Sequence, residues 1–178
     1  MKTLNFKEKD FFNEIDDTFV KIPAQTISFE HSLISVSKWE AIWKIPYISD
    51  AQKTSEQASD YIKCMSINKN DGMFIHAMTV EQALELKEYI DDPMTATTVF
   101  NSKRAPAKKS PMTSEVIYAT MIELGIPIEF EKWHLNRLLT LIQVLQASQS
   151  PQKMSRADIL RQNSELNKLR KSKLHSRG

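Results

Sequence analysis

The sequence predicts a mainly α protein: a compact helical domain with a short extended or β N-terminal segment and a basic C-terminal helical arm. Three observations lead there. Only three glycines (Gly72, Gly125, Gly178) occur in 178 residues, and sandwiches or barrels consume glycine in their turns. Apolar residues recur at spacings of three and four along much of the chain, the period of a helix with one buried face. Residues that cap helices precede several of these runs. The length fits one domain with a tail, and 41% hydrophobic residues suffice for one core. We divide the chain into a body, 1–150, and an arm, 151–178.

Within the body, residues 1–30 form the extended segment. Phe19 to Ile22 and Thr26 to Phe29 flank Pro23 and Ala24, and their β-branched and aromatic content reads as two short strands or extended pieces. Ser32 then caps a helix over about Leu33 to Lys44, with Leu33, Val36, Trp39 (or Glu40) and Trp43 on one face, and Pro46 ends it. A second helix covers about Ser55 to Met65, where Ala58, Tyr61, Ile62 and Met65 share a side. Thr79 with Gln82 three residues on makes a capping box for a third, about Val80 to Ile90, stopping before Pro93.

Residues 101–112 carry four Lys or Arg and two prolines without apolar periodicity, and read as an exposed basic loop. Thr113 or Ser114 caps a helix from about Glu115 to Leu124, closed by Gly125. The most apolar helix, about Phe130 to Ala147, follows Pro127 and is expected at the centre of the core. Beyond the linker Ser148 to Lys153, Ser155 with Asp158 opens a last helix, about Arg156 to Lys173. Its apolar positions Ile159, Leu160, Leu166, Leu169 and Leu174 are too few for a core helix and too broken for a heptad seam. A helix of that kind orders on a partner.

Charge is distributed unevenly. Lys153, Arg156, Arg161, Lys168, Arg170, Lys171, Lys173 and Arg177 face only Asp158 and Glu165 in residues 153–178, a net of +6; the other 152 residues hold 16 basic and 20 acidic groups, a net of −4. The arm therefore reads as seeking an acidic surface. We take Arg156, Leu160, Arg161, Leu166, Leu169, Arg170, Lys171 and Lys173 as partner-binding residues.

No pattern for catalysis or for a cofactor emerges. His31, His76, His134 and His175 are far apart in sequence, with no pair at i, i+4 to present two imidazoles to a metal. Cys64 lacks a second thiol, which excludes an internal disulfide and points to a reducing compartment; beside Met65 it reads as a buried, inert thiol. No two glycines lie within fifty residues of each other, against a phosphate-binding loop. Asp91 with Asp92, and Asp16 with Asp17, read as solvated carboxylates rather than an acid–base pair. Neither basic segment interleaves aromatic residues that would stack on bases, which disfavours nucleic acid as the partner. Trp39, Trp43 and Trp133 suit core contacts first and interface anchors second. Neither a leader-like N-terminus nor a run of about 18 apolar residues is present, so we expect a cytosolic product without a membrane span.

Several segments together resemble a family of short bacteriophage proteins described as tail assembly chaperones or tail-associated proteins. They are His31 to Tyr47 (HSLISVSKWEAIWKIPY), Tyr61 to Met65, Met94 to Thr97, Glu115 to Tyr118, Trp133 to Ile142, Lys153 to Leu160, and Asn163 to Leu174. The resemblance spans roughly residues 26 to 175 and departs at the N-terminal segment and the 101–112 loop. It implies a non-enzymatic protein made in the host cytoplasm that assists tail construction in contact with the tape-measure protein or the tail hub. A permanent tail or baseplate component and a nucleic-acid-associated packaging or regulatory protein remain as alternatives.

Overall fold

The fold begins with a β-hairpin built without glycine. In the computed structural model, which describes residues 1–13, 17–68, 70, 72–97, 112–149, 160 and 164, four strands precede the first helix: β1 (Lys2–Phe6), β2 (Lys9–Asn13), β3 (Thr18–Ile22) and β4 (Gln25–Phe29). Antiparallel β1 and β4 place Lys2 opposite Phe29, and antiparallel β2 and β3 place Lys9 opposite Ile22. Both ladders keep one register, so the four strands are a single long hairpin. It is interrupted where Lys7 and Glu8 run opposite Pro23 and Ala24, and Pro23 has no N–H to donate to a ladder. Near the turn, Asp17 takes a left-handed φ of 51°, a conformation that Asp tolerates better than most residues.

Alternation sorts the β1–β4 side chains. Leu4, Phe6, Ile27 and Phe29 are buried, while Thr3 with Ser28 and Thr26 with Asn5 hydrogen-bond across the outer face. The expectation of a mainly α fold is corrected here: among the described residues, five α-helices accompany four antiparallel strands in two small sheets, a mixed α/β architecture. The strands expected near 19–22 and 26–29 are present, but each pairs with an earlier strand.

The helices are α1 (Leu33–Trp43), α2 (Ser55–Met65), α3 (Val80–Asp91), α4 (Ser114–Glu123) and α5 (Leu135–Gln149), with 3-10 turns at Met73–Ala77 and Ile128–Lys132. Ser32 caps α1 by accepting from Ser35 N, and α1 closes on Lys44 in the left-handed conformation. Thr54 with Gln57 and Thr79 with Gln82 form complete capping boxes for α2 and α3, each satisfying two orphan donors. Thr113 caps α4, and Gly125 follows with φ 67°. A Cβ at Gly125 would meet open space, so Gly125→Ala incurs only the backbone penalty. The expected loss is about 1 kcal/mol, read from the urea midpoint.

The core is built from the inner face of the β1–β4 end of the hairpin, the inner sides of α1 and α2, and the Met73–Ala77 turn. Phe29, Leu33, Val36, Trp39 and Phe74 have no exposed surface. Phe6, Phe29 and Phe74 pack edge-on or tilted, with centroids 5.3 to 6.3 Å apart. Each fully buried large side chain contributes about 2 to 3 kcal/mol. α5 is less central than expected: it starts at Leu135, after a 3-10 turn, and buries only Leu135, Leu138 and Ile142. Its first residues are drawn into another pairing, since Ser32 and His134 form an isolated antiparallel bridge and Leu135 N donates to His31 O at 2.7 Å.

The chain divides into two units, residues 1–144 and 145–178. In the second, Leu145 to Gln149, Leu160 and Ser164 are described, all helical. Residues 101–111 of the basic loop lie outside the described residues; Met112 bridges to Ile48. Among the described residues no helix is long and apolar enough to cross a membrane.

Candidate functional site

Of the residues expected to bind a partner, Arg156, Arg161, Leu166, Leu169, Arg170, Lys171 and Lys173 lie outside the described residues. Leu160 is within them, in helical conformation and 69% exposed.

The structure also brings together residues that sequence spacing kept apart. His31, at the junction of β4 and α1, and His134, at the start of α5, stand edge to face with ring centroids 5.0 Å apart. Around them close Tyr61 from α2, Tyr47 from the loop after α1, and Tyr89 from α3. The Tyr61 hydroxyl meets His31 Nδ1 at 2.5 Å, and Tyr47 stacks on Tyr61 at 4.0 Å. His134 Nε2 donates to the carbonyl of Tyr89 at 2.9 Å, while the Tyr89 hydroxyl donates to Glu30 Oε1 at 2.5 Å. Next to this cluster, Asn136 Nδ2 donates to the carbonyls of Ile90 and Asp92, each at 2.9 Å, and so closes the C-terminal end of α3.

Burial fixes the charge state of the cluster. It pushes the His31 ring down to about 3, helped by His134 nearby, because a low-dielectric site disfavours imidazolium. The same burial raises the Tyr47, Tyr61 and Tyr89 phenols. These groups therefore stay neutral near pH 7. The arrangement ties four elements at one point; His31 and Tyr61 are almost wholly enclosed. His134 Nδ1 is buried without a hydrogen-bond partner among the described residues.

A second polar site lies between α1 and α4. Glu40 is buried on α1, its Oε1 accepting from Tyr47 N at 2.7 Å. Its Oε2 accepts from Ser114 N at 2.7 Å and from Ser114 Oγ at 2.6 Å. Because Ser114 is the first residue of α4, the carboxylate satisfies one orphan N–H and places negative charge at the positive end of that helix.

The remaining candidate residues take structural places. Trp39 is fully buried and donates from Nε1 to the carbonyl of Gln57 at 2.8 Å. Trp43 packs at 6.3 Å from it, with its Nε1 buried and unpartnered among the described residues. Trp133 stacks on Phe130 at 3.9 Å under the Arg137 guanidinium. Cys64 is half-buried rather than fully enclosed, and burial pushes its thiol up, away from the reactive thiolate. Asp92 accepts from Met94 N just beyond α3. Among the described residues no three His, Cys, Asp or Glu side chains are placed to hold a metal ion. Compared with known proteins, the chain matches no family model, no curated protein and no solved structure.

Proposed function

We propose that this chain is a non-enzymatic bacteriophage tail assembly chaperone or adaptor that works in the host cytoplasm and binds the tape-measure or tail-hub protein. The observation that carries the reading is a contrast within the molecule. His31, Glu40, Tyr61, Tyr89 and Ser114, the groups best able to do chemistry, are tied into hydrogen bonds that join α4 to α1, and α2 and α3 to the junction between β4 and α1. Large apolar side chains meanwhile stand outward on helices and turns: Ile42, Ile45, Leu84, Val116, Ile122 and Ile128 are all exposed. Outward apolar surface is what a binding protein offers its partners. The resemblance to tail-associated proteins names the class of partner, and the +6 segment 153–178 supplies the charge for an acidic surface.

In this reading Arg156, Arg161, Arg170, Lys171 and Lys173 contact acidic groups, while Leu160, Leu166 and Leu169 pack on an amphipathic helix of the partner. The test is capture with tagged protein from infected cells, combined with mass spectrometry of purified virions. The expected result is capture of tape-measure or hub protein and absence from virions. Stoichiometric presence in virions would make the chain a permanent tail component. Capture of DNA alone, lost steeply with salt, would make it a packaging or regulatory protein.

A further inference from the structure

The surface of α4 has a composition found nowhere else among the described helices. From Thr113 to Glu131 the sequence contains no Lys or Arg, while Glu115, Glu123, Glu129 and Glu131 fall within it. The inner side of α4 is set by Ser114, Ile117 and Met121, all buried. Its outer face is therefore Glu115, Val116, Ala119, Ile122 and Glu123, all exposed. Val116 is 47% and Ile122 75% exposed. Tyr118 donates to Glu131; Glu115, Glu123 and Glu129 enter no ion pair among the described residues.

We propose that this outer face of α4 is a second partner site, on the body rather than the arm, and that it takes a basic amphipathic helix of a partner protein. The inference rests on the reading of the chain as a protein-binding adaptor and adds a surface to it. Val116, Ala119 and Ile122 follow at spacings of three, a stripe along one side of a helix. Small Ala119 between two branched side chains leaves a notch that an apolar side chain of a crossing helix can fill. Glutamates at both ends of the stripe, with no cation among them, select Lys and Arg beside the partner's apolar positions. The same charge repels nucleic-acid phosphates and anionic lipid headgroups.

The experiment uses the full chain and a fluorescein-labelled peptide with leucines at i, i+3, i+4 and i+7 and lysines beside them. Controls are the same peptide with glutamate for lysine and a scrambled lysine peptide. Wild type is expected to bind the Leu/Lys peptide and neither control by fluorescence anisotropy. Ile122→Ser should weaken that binding about tenfold. Glu123→Lys should weaken it about threefold or more, with the loss shrinking as salt rises, and admit the Leu/Glu peptide. Both positions are exposed, so circular dichroism of the variants should match wild type; Glu115 is left intact because it serves the first turn of α4.

Equal binding of the lysine and glutamate peptides, or undiminished binding by both variants, would overturn the site. Sedimentation provides a further arm: an oligomer that Ile122→Ser dissociates would make the occupant another copy of this chain and overturn the assignment to a partner protein. If wild type captures tail proteins from infected cells while the variants bind peptide unchanged, the surface fails and the adaptor reading stands. Peptide results as expected with no tail protein captured would give the reverse.

Discussion

Replacing Glu40 by alanine is expected to destabilise the protein by about 3 kcal/mol, because it strips the acceptor from two backbone N–H groups at once, that of Ser114 buried and that of Tyr47 partly buried. Tyr47 N and Ser114 N both point at this carboxylate, at 2.7 Å each, and the Ser114 hydroxyl adds a third bond at 2.6 Å. The location shows that the residue is there for tertiary contact. Near the C-terminal end of α1 a carboxylate is disfavoured by the helix dipole, whereas at the N-terminus of α4 it is favoured. Glu40→Gln keeps one acceptor oxygen and loses the charge, so an intermediate loss of about 1 to 2 kcal/mol is expected. Urea unfolding at neutral pH checks both; an alanine variant within about 0.5 kcal/mol of wild type, the range of an ordinary surface change, would show that the bonds contribute little.

Acid should weaken the fold through His31. His31 is held neutral in the folded state, its ring pushed down to about 3 by burial and by His134, while an unfolded histidine titrates near 6.5. The unfolded chain therefore binds a proton that the folded chain refuses between these values. Stability is full above about pH 6.5 and falls as pH drops toward 3, by about 1.4 kcal/mol per unit. At pH 5 the expected loss is about 2 kcal/mol relative to pH 7. His31→Gln removes the titrating ring, so the variant, though less stable at pH 7, should show a flatter profile between pH 7 and 5. Parallel profiles for wild type and variant would show that another group sets the acid limit.

The helices were legible because their ends are written locally. Ser32, Thr79 and Thr113 cap helices as their sequence positions predict, and α1, α2 and α3 begin at the expected residues. The hairpin was harder to read for two physical reasons. β1 and β2 are rich in Lys, Asp and Asn, residues with weak strand preference, and β1 finds its partner 19 to 27 residues away. Scarcity of glycine also misled, since Asp17 supplies a left-handed φ without it. Low glycine content disfavours a barrel but leaves a single long hairpin possible.

The buried cluster was invisible to spacing rules. Those rules find two histidines on one helix; His31 and His134 come from different elements and meet only through the bridge between Ser32 and His134. Glu40 did leave a signal, a carboxylate beside Trp39 on the apolar side of α1. A charged residue in that position announces a buried acceptor whose donors lie elsewhere in the chain. The outer face of α4 also had a trace in sequence, a stretch of nineteen residues without a single Lys or Arg, which matters only once Val116 and Ile122 are known to face outward.

The adaptor reading is tested most directly by capture from infected cells with the full chain and with a version ending at Gln152, compared after circular dichroism has shown that both retain the same folded body. Loss of the tape-measure or hub protein from the shortened chain is the expected result. Equal recovery of every tail protein by both would contradict the role assigned to Arg156, Leu160, Arg161, Leu166, Leu169, Arg170, Lys171 and Lys173.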